Sequence, residues 1–373
     1  MTTKKQMLAD AIGNWEGSFI GSECSLHQLS PYIGKMKSVM ATNLITTFSK
    51  KGETVYDPYS GSGTVGLESW ILNRQVIAND LNPYASLLTK GKLYPLLTEN
   101  SSLSWIEEIG KEIEVNVNKI DQTEIPLWVK EFFHEETLRE IIVWKNHLLQ
   151  KNASFLLSCL MGILHHQRPG FLSYPSSHAI PYLRSKRFPS IDYPELYCYR
   201  EVRPRLQKKV IRSLKRVPHL DSNLLRLCYQ NDAANLIPEA KVNAIITSPP
   251  YMRRLDYGRD NRLRLWLLGE NEWRELDEKV SPSEKLFLQS MTSCFRTWSD
   301  VLGKNSHCVL VVDNSISKIY DLTLADALIK IAVQEVGGYK HIATFQDPIP
   351  NERRVRRHHK GSNTEIIIVL KRY

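Results

Sequence analysis

Short apolar runs along the first hundred residues predict the start of an open α/β sheet. The runs at 54–56 and 76–79 predict two buried strands. Between them lie a glycine-rich turn and a helical pattern over about 65–73, and a second helix is predicted to begin at Pro83. The order strand, helix, strand, helix is typical of the βαβ unit of a parallel sheet.

Strand patterns return in the second half of the chain, at 225–229, 242–246, 308–312 and 364–370. Residues from about 98 to 224 instead show helical periodicity, interrupted by a stretch rich in Pro, Ser and aromatic residues at 165–197. We therefore predict a Rossmann-like α/β domain with a mainly helical insertion. Its first half covers 1–97, the insertion covers 98–224 and the second half covers 225–373.

The composition is that of an ordinary globular protein, with 42% hydrophobic and 24% charged residues. No apolar run approaches the roughly 18 residues of a membrane span, and the N-terminus lacks an apolar signal core, so a cytoplasmic location without membrane contact is expected. The six cysteines are scattered without a C-x-x-C pair, and His165, His166 and His178 lack ligand spacing. We predict reduced thiols and no metal site.

The positive charge is concentrated in clusters. The chain carries a net charge of +9, and the segment 184–216 alone holds eleven Lys and Arg against three acidic residues. A second cluster, RRVRRHHK, covers Arg353–Lys360. Dense basic clusters of this kind indicate a nucleic-acid partner.

The glycine turn reads GSGTVG, with Gly61, Gly63 and Gly66, and Asp80 follows Gly61 by nineteen residues. This spacing fits a dinucleotide site, in which the acidic residue binds a ribose hydroxyl. It equally fits S-adenosylmethionine, which has a ribose but no pyrophosphate. Asp57 favours S-adenosylmethionine over NAD, because a carboxylate before the loop would repel a pyrophosphate and attract sulfonium and ammonium charges.

The second motif, TSPPY, directly follows the strand predicted at 242–246. Ser248 and the main-chain carbonyl of Pro249 are two acceptors for an exocyclic base amine, and the prolines hold them in place. Tyr251 offers a ring on which an extracted base would stack. Arginines at 253, 254, 259, 262 and 264 follow, and they would contact the flanking phosphates. A nicotinamide-dependent oxidoreductase would leave this motif unexplained.

The sequence DPYSGSGT…VIANDLNPYA followed by TSPPY resembles the cofactor and catalytic motifs of the amino-group DNA methyltransferases. The resemblance covers roughly 25–95 and 225–270, and it implies a Rossmann-like methyltransferase sheet, S-adenosylmethionine as cofactor and double-stranded DNA as partner. A serine at the first position of SPPY is typical of members that methylate cytosine N4, whereas aspartate or asparagine is typical of adenine-N6 members. The chain departs from the common pattern in having Tyr59 where phenylalanine is usual.

The chemistry of these motifs and basic clusters assigns residues to roles, and the resemblance adds Tyr32, Gly34 and Lys35 as residues that would enclose the methionine part of the cofactor. The catalytic set is Ser248, Pro249, Pro250 and Tyr251. The cofactor-binding set is Tyr32, Gly34, Lys35, Asp57, Pro58, Tyr59, Gly61, Ser62, Gly63, Thr64, Asp80, Leu81, Asn231, Asp232 and Ser248. The predicted DNA-binding set is Arg184, Arg203, Arg205, Lys208, Lys209, Arg253, Arg254 and Arg259.

The sequence leaves other functions open. An adenine-N6 DNA methyltransferase, an RNA base-amine methyltransferase and a catalytically silent nucleic-acid-binding module all remain alternatives to a cytosine-N4 enzyme. A restriction or defence-system component is a candidate partner, as in modification methylases. The intact Asp57, Asp80 and Ser248 favour an enzyme over the silent module.

Overall fold

A computed structural model describes residues 23–96, 98–114, 121–178, 180–250, 256–280, 282–348 and 364–373. Three predicted site residues, Tyr251, Arg253 and Arg254, lie outside these ranges, as does the basic cluster Arg353–Lys360.

Seven of the described strands form one mainly parallel sheet. The nine described strands are β1 (Thr54–Asp57), β2 (Gln75–Asn79), β3 (Arg226–Tyr229), β4 (Val242–Thr247), β5 (Leu302–Asp313), β6 (Ile316–Ser317), β7 (Leu322–Thr323), β8 (Tyr339–Pro348) and β9 (Thr364–Arg372). The order across the sheet is β3-β2-β1-β4-β5-β9-β8, with β9 antiparallel to both of its neighbours, and β6 and β7 form a separate hairpin. This Rossmann-like order confirms the predicted α/β fold.

The sequence missed β8 and the beginning of β5. The strand β8 lies at the edge of the sheet and most of its residues are partly or fully exposed, so it carries no apolar run to detect. The first residues of β5 include the polar stretch Lys304–Ser306, and its register against β4 shifts between Val242 and Ala244. Because the strand begins with polar residues and an irregular register, its first residues show no alternation of apolar and polar positions.

Helices cover both faces of the sheet and form most of the insertion. They are α1 (Ser38–Phe48), α2 (Thr64–Ile71), α3 (Pro83–Leu93), α4 (Glu99–Glu114), α5 (Leu127–Lys130), α6 (Glu135–Gln150), α7 (Ser154–Gly162), α8 (Val202–Leu214), α9 (Tyr257–Leu267), α10 (Trp273–Val280), α11 (Glu284–Val301) and α12 (Leu324–Lys330). Within the described ranges, no helix has the length and apolar character needed to cross a bilayer.

The sheet separates two apolar layers, as alternation along its strands requires. On β5, Val309 and Val311 pack with α1, whereas Cys308 and Leu310 pack on the opposite face with α11 and α12. A third and larger cluster joins α2 and α3 to the helices of the insertion. The insertion therefore packs against α3 and its neighbours, the helices that flank the glycine loop.

Candidate functional site

The carboxyl ends of β1, β2, β3 and β4 meet at one edge of the sheet, because these strands are parallel. A cavity of about 520 Å³ opens at this edge. The predicted residues that line it are Tyr32, Gly34, Lys35, Asp57, Pro58, Tyr59, Gly61, Ser62, Thr64, Asp80, Leu81, Asn231, Asp232, Ser248 and Pro250. Gly63 and Pro249 belong to the same loops but do not line the cavity.

The glycine loop between β1 and α2 needs its glycines for both conformation and space. Gly61 and Gly63 adopt positive φ angles of 51° and 76°, which residues with a Cβ rarely adopt. A Cβ on Gly63 would also lie 2.8 Å from Thr89 Oγ1. The loop is thereby held close to α3, and its Gly61 N–H is directed toward the end of β2.

The Asp80 carboxylate fixes the relation between the glycine loop and β2. Its Oδ2 accepts a 2.7 Å hydrogen bond from Gly61 N, and its Oδ1 accepts one of 2.9 Å from Asn82 N. Burial raises the pKa of Asp80 to about 6, although both hydrogen bonds act in the opposite direction. In its ionised form this carboxylate retains acceptor capacity for a further ligand such as a ribose hydroxyl.

Asp57 ends β1 as a buried carboxyl group that is hydrogen-bonded to β4. Thr247 Oγ1 donates a 2.7 Å hydrogen bond to its Oδ1, and Tyr59 N donates one of 3.3 Å to the same atom. Burial raises the pKa of Asp57 to about 7. A cationic ligand in the cavity would favour the ionised form of this group.

Asn79 is a residue of the site that the sequence prediction missed. Its buried side chain donates to the carbonyl oxygens of Pro58 (3.1 Å) and Asn231 (2.9 Å), and its Oδ1 accepts from Asn231 N at 3.0 Å. One amide thus joins the loops that follow β1 and β3. The sequence did contain a signal for this role, because Asn79 is an amide at the end of an otherwise apolar strand. A polar group that is buried there must find hydrogen-bond partners.

The described part of the TSPPY corner places Ser248 beside β5. Its hydroxyl donates a 2.9 Å hydrogen bond to the main-chain oxygen of Val311. Because the hydroxyl proton points to Val311, the lone pairs of Oγ remain available to accept hydrogen bonds. Ser248 is half-buried and lines the same cavity as the glycine loop, while Pro249 is buried.

Aromatic rings form one wall of the cavity. Tyr32 stacks with Tyr257, with ring centroids 6.1 Å apart, and lies 6.0 Å from the ring of Tyr84. Tyr257, which the sequence prediction did not include, begins α9 and also lines the cavity. Gly34 and Lys35 follow Tyr32 on the exposed rim.

Tyr59 has a polar partner in the opposite wall, on α11. Its hydroxyl lies 3.2 Å from the Cys294 sulfur, and its ring meets that of Trp298 edge-on. The family that the sequence resembles usually has phenylalanine at this position. The contact with Cys294 gives the additional hydroxyl of Tyr59 a polar partner.

The end of α10 and the start of α11 cover the cavity, which the sequence did not predict. Glu278, Lys279 and Val280 line it from α10. The neighbouring Asp277 accepts hydrogen bonds from the backbone N–H groups of Gly258 (2.5 Å) and Arg259 (2.9 Å). This carboxylate satisfies first-turn donors of α9 and thereby joins the end of α10 to the helix that follows the TSPPY motif.

Two hydroxyl groups of the glycine loop are buried without a hydrogen-bond partner among the described residues. They are Ser62 Oγ, in the turn before α2, and Thr64 Oγ1, on the first residue of α2, and both residues line the cavity. Buried polar atoms usually have partners. Together with the glycine turn, these groups fit a polar ligand that occupies the loop.

The predicted DNA-binding residues differ in their surroundings. Arg203 on α8 pairs with Glu107, Glu114 and Glu201, so its charge is largely engaged inside the protein. Lys209 is buried, and its Nζ donates to the Gln28 carbonyl at 2.6 Å. A phosphate contact by Lys209 would require that bond to break.

The remaining residues of this set are more accessible. Lys208 is exposed, and the half-buried Arg205 donates to the Glu201 carbonyl. Arg184 donates to Gln167 Oε1 at 2.6 Å, and Arg259 pairs with Asp256 and Asp260. The structure thus brings the predicted cofactor residues other than Gly63 together in one cavity, whereas the described members of the basic set do not converge on one site.

The three histidines of the insertion lie close together without forming a ligand set. His166 lies between the rings of Phe171 and His178, with centroid distances of 4.6 and 4.5 Å. The Nδ1 atom of the buried His165 lies 2.7 Å from the Ser177 carbonyl. In the described ranges, no group of three or more His, Cys, Asp or Glu residues is arranged to hold a metal ion.

Comparisons with known proteins give two sequence similarities. Residues 16–90 match the family model described as DNA methylase. The Type II methyltransferase M.BsoBI of Geobacillus stearothermophilus is 26% identical over 275 residues, which cover 66% of this chain and 53% of that protein. The chain therefore spans about half the length of the curated relative that it matches.

Solved structures give weaker similarities. The structure of TrmN from Thermus thermophilus is 12% identical, with a TM-score of 0.37 over 91% of this chain and 50% of that chain. The rRNA methyltransferase aviRa from Streptomyces viridochromogenes is 13% identical, with a TM-score of 0.35 over 97% and 92% of the two chains. TM-scores this low do not assign a fold, which rests here on the strand order of the chain itself.

Proposed function

We propose that this protein is an S-adenosylmethionine-dependent methyltransferase that modifies the exocyclic amine of a base in DNA, with cytosine N4 as the favoured target. The observation that carries the proposal is the shared cavity of Asp57, Asp80 and Ser248. This arrangement supports a cationic, ribose-containing cofactor bound beside an acceptor for an amine. The similarity of residues 16–90 to DNA methylases supports DNA as the substrate.

The cavity fits S-adenosylmethionine better than a dinucleotide. Asp57 and Asp80 both line it, and the Asp57 carboxylate directly before the loop disfavours a pyrophosphate, whereas Asp80 would suit the ribose of either cofactor. Asp80 would bind the ribose hydroxyls, and Asp57 would face the positive end of the cofactor. Ser62 and Thr64 provide unpaired hydroxyl groups for its polar atoms. The bound cofactor supplies an electrophilic sulfonium methyl group.

Ser248 and Pro249 would prepare the amine of the base for attack. The lone pair of such an amine is delocalised into the ring, so the nitrogen is a poor nucleophile. Ser248 Oγ and the Pro249 carbonyl would accept its two N–H groups and favour a pyramidal nitrogen. Because Ser248 already donates its proton to Val311, it acts only as an acceptor toward the amine.

The base must leave the duplex to reach this corner, as in other enzymes that modify a base amine. The stretch 165–197 and α8 of the insertion would hold the duplex, with phosphate contacts from exposed cations such as Lys208. A restriction or defence-system component is the partner expected of a modification methylase, and the similarity to a Type II methyltransferase supports it.

The test is to incubate the protein with labelled S-adenosylmethionine and either plasmid DNA or total RNA, and then to identify the methylated nucleoside by mass spectrometry. We expect N4-methyldeoxycytidine from DNA. N6-methyldeoxyadenosine would move the target to adenine, and label confined to RNA would overturn the DNA assignment. Cofactor binding without any methylated nucleoside would indicate a catalytically silent module. Ser248→Ala is the control for contaminating activity.

A further inference from the structure

The hairpin of β6 and β7, together with the beginning of α11, carries an exposed apolar patch. Ile316 is 69% exposed and Ile319 is 56% exposed, and Leu286 on α11 is 55% exposed. We call Leu286, Ile316 and Ile319 the hairpin patch. The hairpin is hydrogen-bonded to the beginning of α11, so the three exposed side chains belong to one region of the surface, which makes that region a candidate binding surface.

The hairpin is firmly held although its apolar side chains are exposed. Glu284 Oε1 accepts hydrogen bonds from Ser317 Oγ (2.7 Å) and from Ile319 N (3.0 Å). Ser317 is fully buried between the two exposed isoleucines, and Leu324 N donates to the Ser315 carbonyl at 2.8 Å. These hydrogen bonds hold the hairpin backbone on both sides, so Ile316 and Ile319 remain exposed in the folded protein.

The hairpin directly follows the strand that borders the catalytic corner. Thr247 is paired with Leu310 in the β4–β5 register, and Ser248 donates to Val311. The strand β5 ends at Asp313, and Ile316 is only three residues further on. On the other side, Glu284 lies two residues before Leu286, which lines the cavity. The hairpin patch thus belongs to the same edge of the sheet as Ser248.

We propose that the hairpin patch contacts the unstacked bases of a DNA duplex around the nucleotide that is extruded into the site. This inference rests on the proposed function and identifies the surface that would stabilise the opened duplex. Extrusion of a base leaves apolar ring faces without a stacking partner, and proteins cover such faces with inserted apolar side chains.

The charge of the hairpin favours bases over phosphates as its partner. Residues 314–323 contain one cation, Lys318, and one acid, Asp321, so the segment is neutral. A phosphate-binding segment would carry an excess of Lys or Arg. The exposed side chains next to the catalytic edge are instead apolar, which suits ring faces and base edges.

The experiment measures turnover at saturating DNA on duplexes that contain the site mapped for the wild-type protein. One duplex has the normal target pair and the other has a mismatch at the target base, which is easier to extrude. The variant Ile316→Ala/Ile319→Ala should turn over the normal duplex about tenfold more slowly, since two buried apolar contacts are lost. On the mismatched duplex its turnover should approach that of the wild type.

Two further variants serve as controls. Ile342→Ala removes an exposed isoleucine near the beginning of β8, at the far edge of the sheet, and should leave both rates unchanged. Ile316→Leu keeps the apolar volume and should remain close to the wild type on both duplexes. A double variant with unchanged rates, or with equal losses on both duplexes, would overturn the inference.

The outcome separates this inference from the proposed function. If the wild-type protein methylates no DNA, the proposed function fails first. If it methylates DNA but the double variant behaves like the wild type, only the hairpin assignment fails. A wild-type dimer in sedimentation that the double variant abolishes would assign the hairpin patch to a second copy of the chain and would also overturn it.

Discussion

Thr247 donates a 2.7 Å hydrogen bond from Oγ1 to Asp57 Oδ1 across 190 residues of sequence. The bond joins the last residue of β4, directly before the serine of the catalytic corner, to the last residue of β1, directly before the glycine loop. Tyr59 N also lies 3.2 Å from the same Thr247 hydroxyl oxygen. One polar contact therefore joins the start of the glycine loop directly to the start of the TSPPY motif.

The titration of Asp57 predicts how cofactor affinity depends on pH. Burial raises the pKa of this carboxyl to about 7 in the ligand-free protein. A cationic cofactor favours the ionised form, so affinity for S-adenosylmethionine should rise between pH 6 and 8, by at most about tenfold per pH unit. Calorimetric titration across this range measures the effect. Asp57→Asn should bind more weakly and lose the rise near pH 7, and a wild-type affinity independent of pH would contradict this role of Asp57.

The raised pKa of Asp57 also affects folding, and here a rise in pH is unfavourable. A carboxyl group whose pKa is higher in the folded than in the unfolded state makes folding less favourable as pH rises between the two pKa values. Asp57 therefore lowers the stability of the ligand-free protein as pH rises from about 4 to about 7. In urea titrations over that pH window, the free energy of unfolding should depend on pH differently in the wild type and in Asp57→Asn.

Replacing Asp80 by Ala should weaken S-adenosylmethionine binding. Each lost charge-assisted bond to the ribose contributes roughly 1.5–3 kcal/mol, or about 10- to 150-fold in affinity. Asp80→Ala also leaves Gly61 N and Asn82 N without their acceptor, so Asp80→Asn is the matched variant that keeps one oxygen. Calorimetry with S-adenosylmethionine and with methionine alone separates the effects, because only the former carries the ribose. Equal losses for both ligands would count against a ribose contact.

Ser248→Ala should leave cofactor binding nearly intact while slowing the chemical step. Loss of one preorganised acceptor costs on the order of 100-fold in turnover. Single-turnover methylation at saturating DNA measures this, with Ser299→Ala, a half-buried serine on α11, as the matched control. Full turnover by Ser248→Ala would show that the serine is not an acceptor for the target amine.

Gly63→Ala should destabilise the protein more than Gly52→Ala. Both glycines have positive φ angles, of 76° and 79°, so both substitutions carry a backbone cost of about 1–2 kcal/mol. Only the Cβ at position 63 meets the atoms of Thr89, whereas that at position 52 has no heavy atom within 4 Å. The free energy of unfolding should therefore fall by about 3 kcal/mol or more for Gly63→Ala. Equal losses in urea titration would show that the packing against α3 relaxes freely.

DNA affinity should fall steeply with salt if α8 lies along the duplex. We expect Arg205→Glu/Lys208→Glu to reduce the slope of log affinity against log salt by about 2, equally for specific and random DNA. We choose only Arg205 and Lys208 of the predicted DNA-binding residues on α8 for this variant, because Arg203 is paired with glutamates and Lys209 is buried. Lys340→Glu, an exposed charge reversal on β8, is the control. An unchanged slope would place the duplex on another surface.

The sequence alone determined the parts of the molecule that have local signals. Apolar runs located five of the strands in the sheet within a few residues, because buried strands are apolar wherever they lie. Positive-φ glycines and the double proline specified the turns after β1 and β4, because those conformations restrict the residue type at single positions. The helical periodicity of α8 also indicates that Lys209 is buried, and the prediction of a DNA contact did not take this into account. Lys209 shares the face of Val202 and Leu206 on α8, and that face is buried.

Only the tertiary structure decided the contacts that assemble the site. The Asp57–Thr247 and Asn79–Asn231 bonds join residues far apart in sequence, and no local pattern specifies which buried polar groups will meet. The same holds for Asp277, whose partners at Gly258 and Arg259 depend on how α10 packs against α9. The exposed edge strand β8 and the hairpin patch also escaped prediction. Exposure is a property of the packed molecule, and an isoleucine in the sequence does not reveal whether its neighbours will cover it.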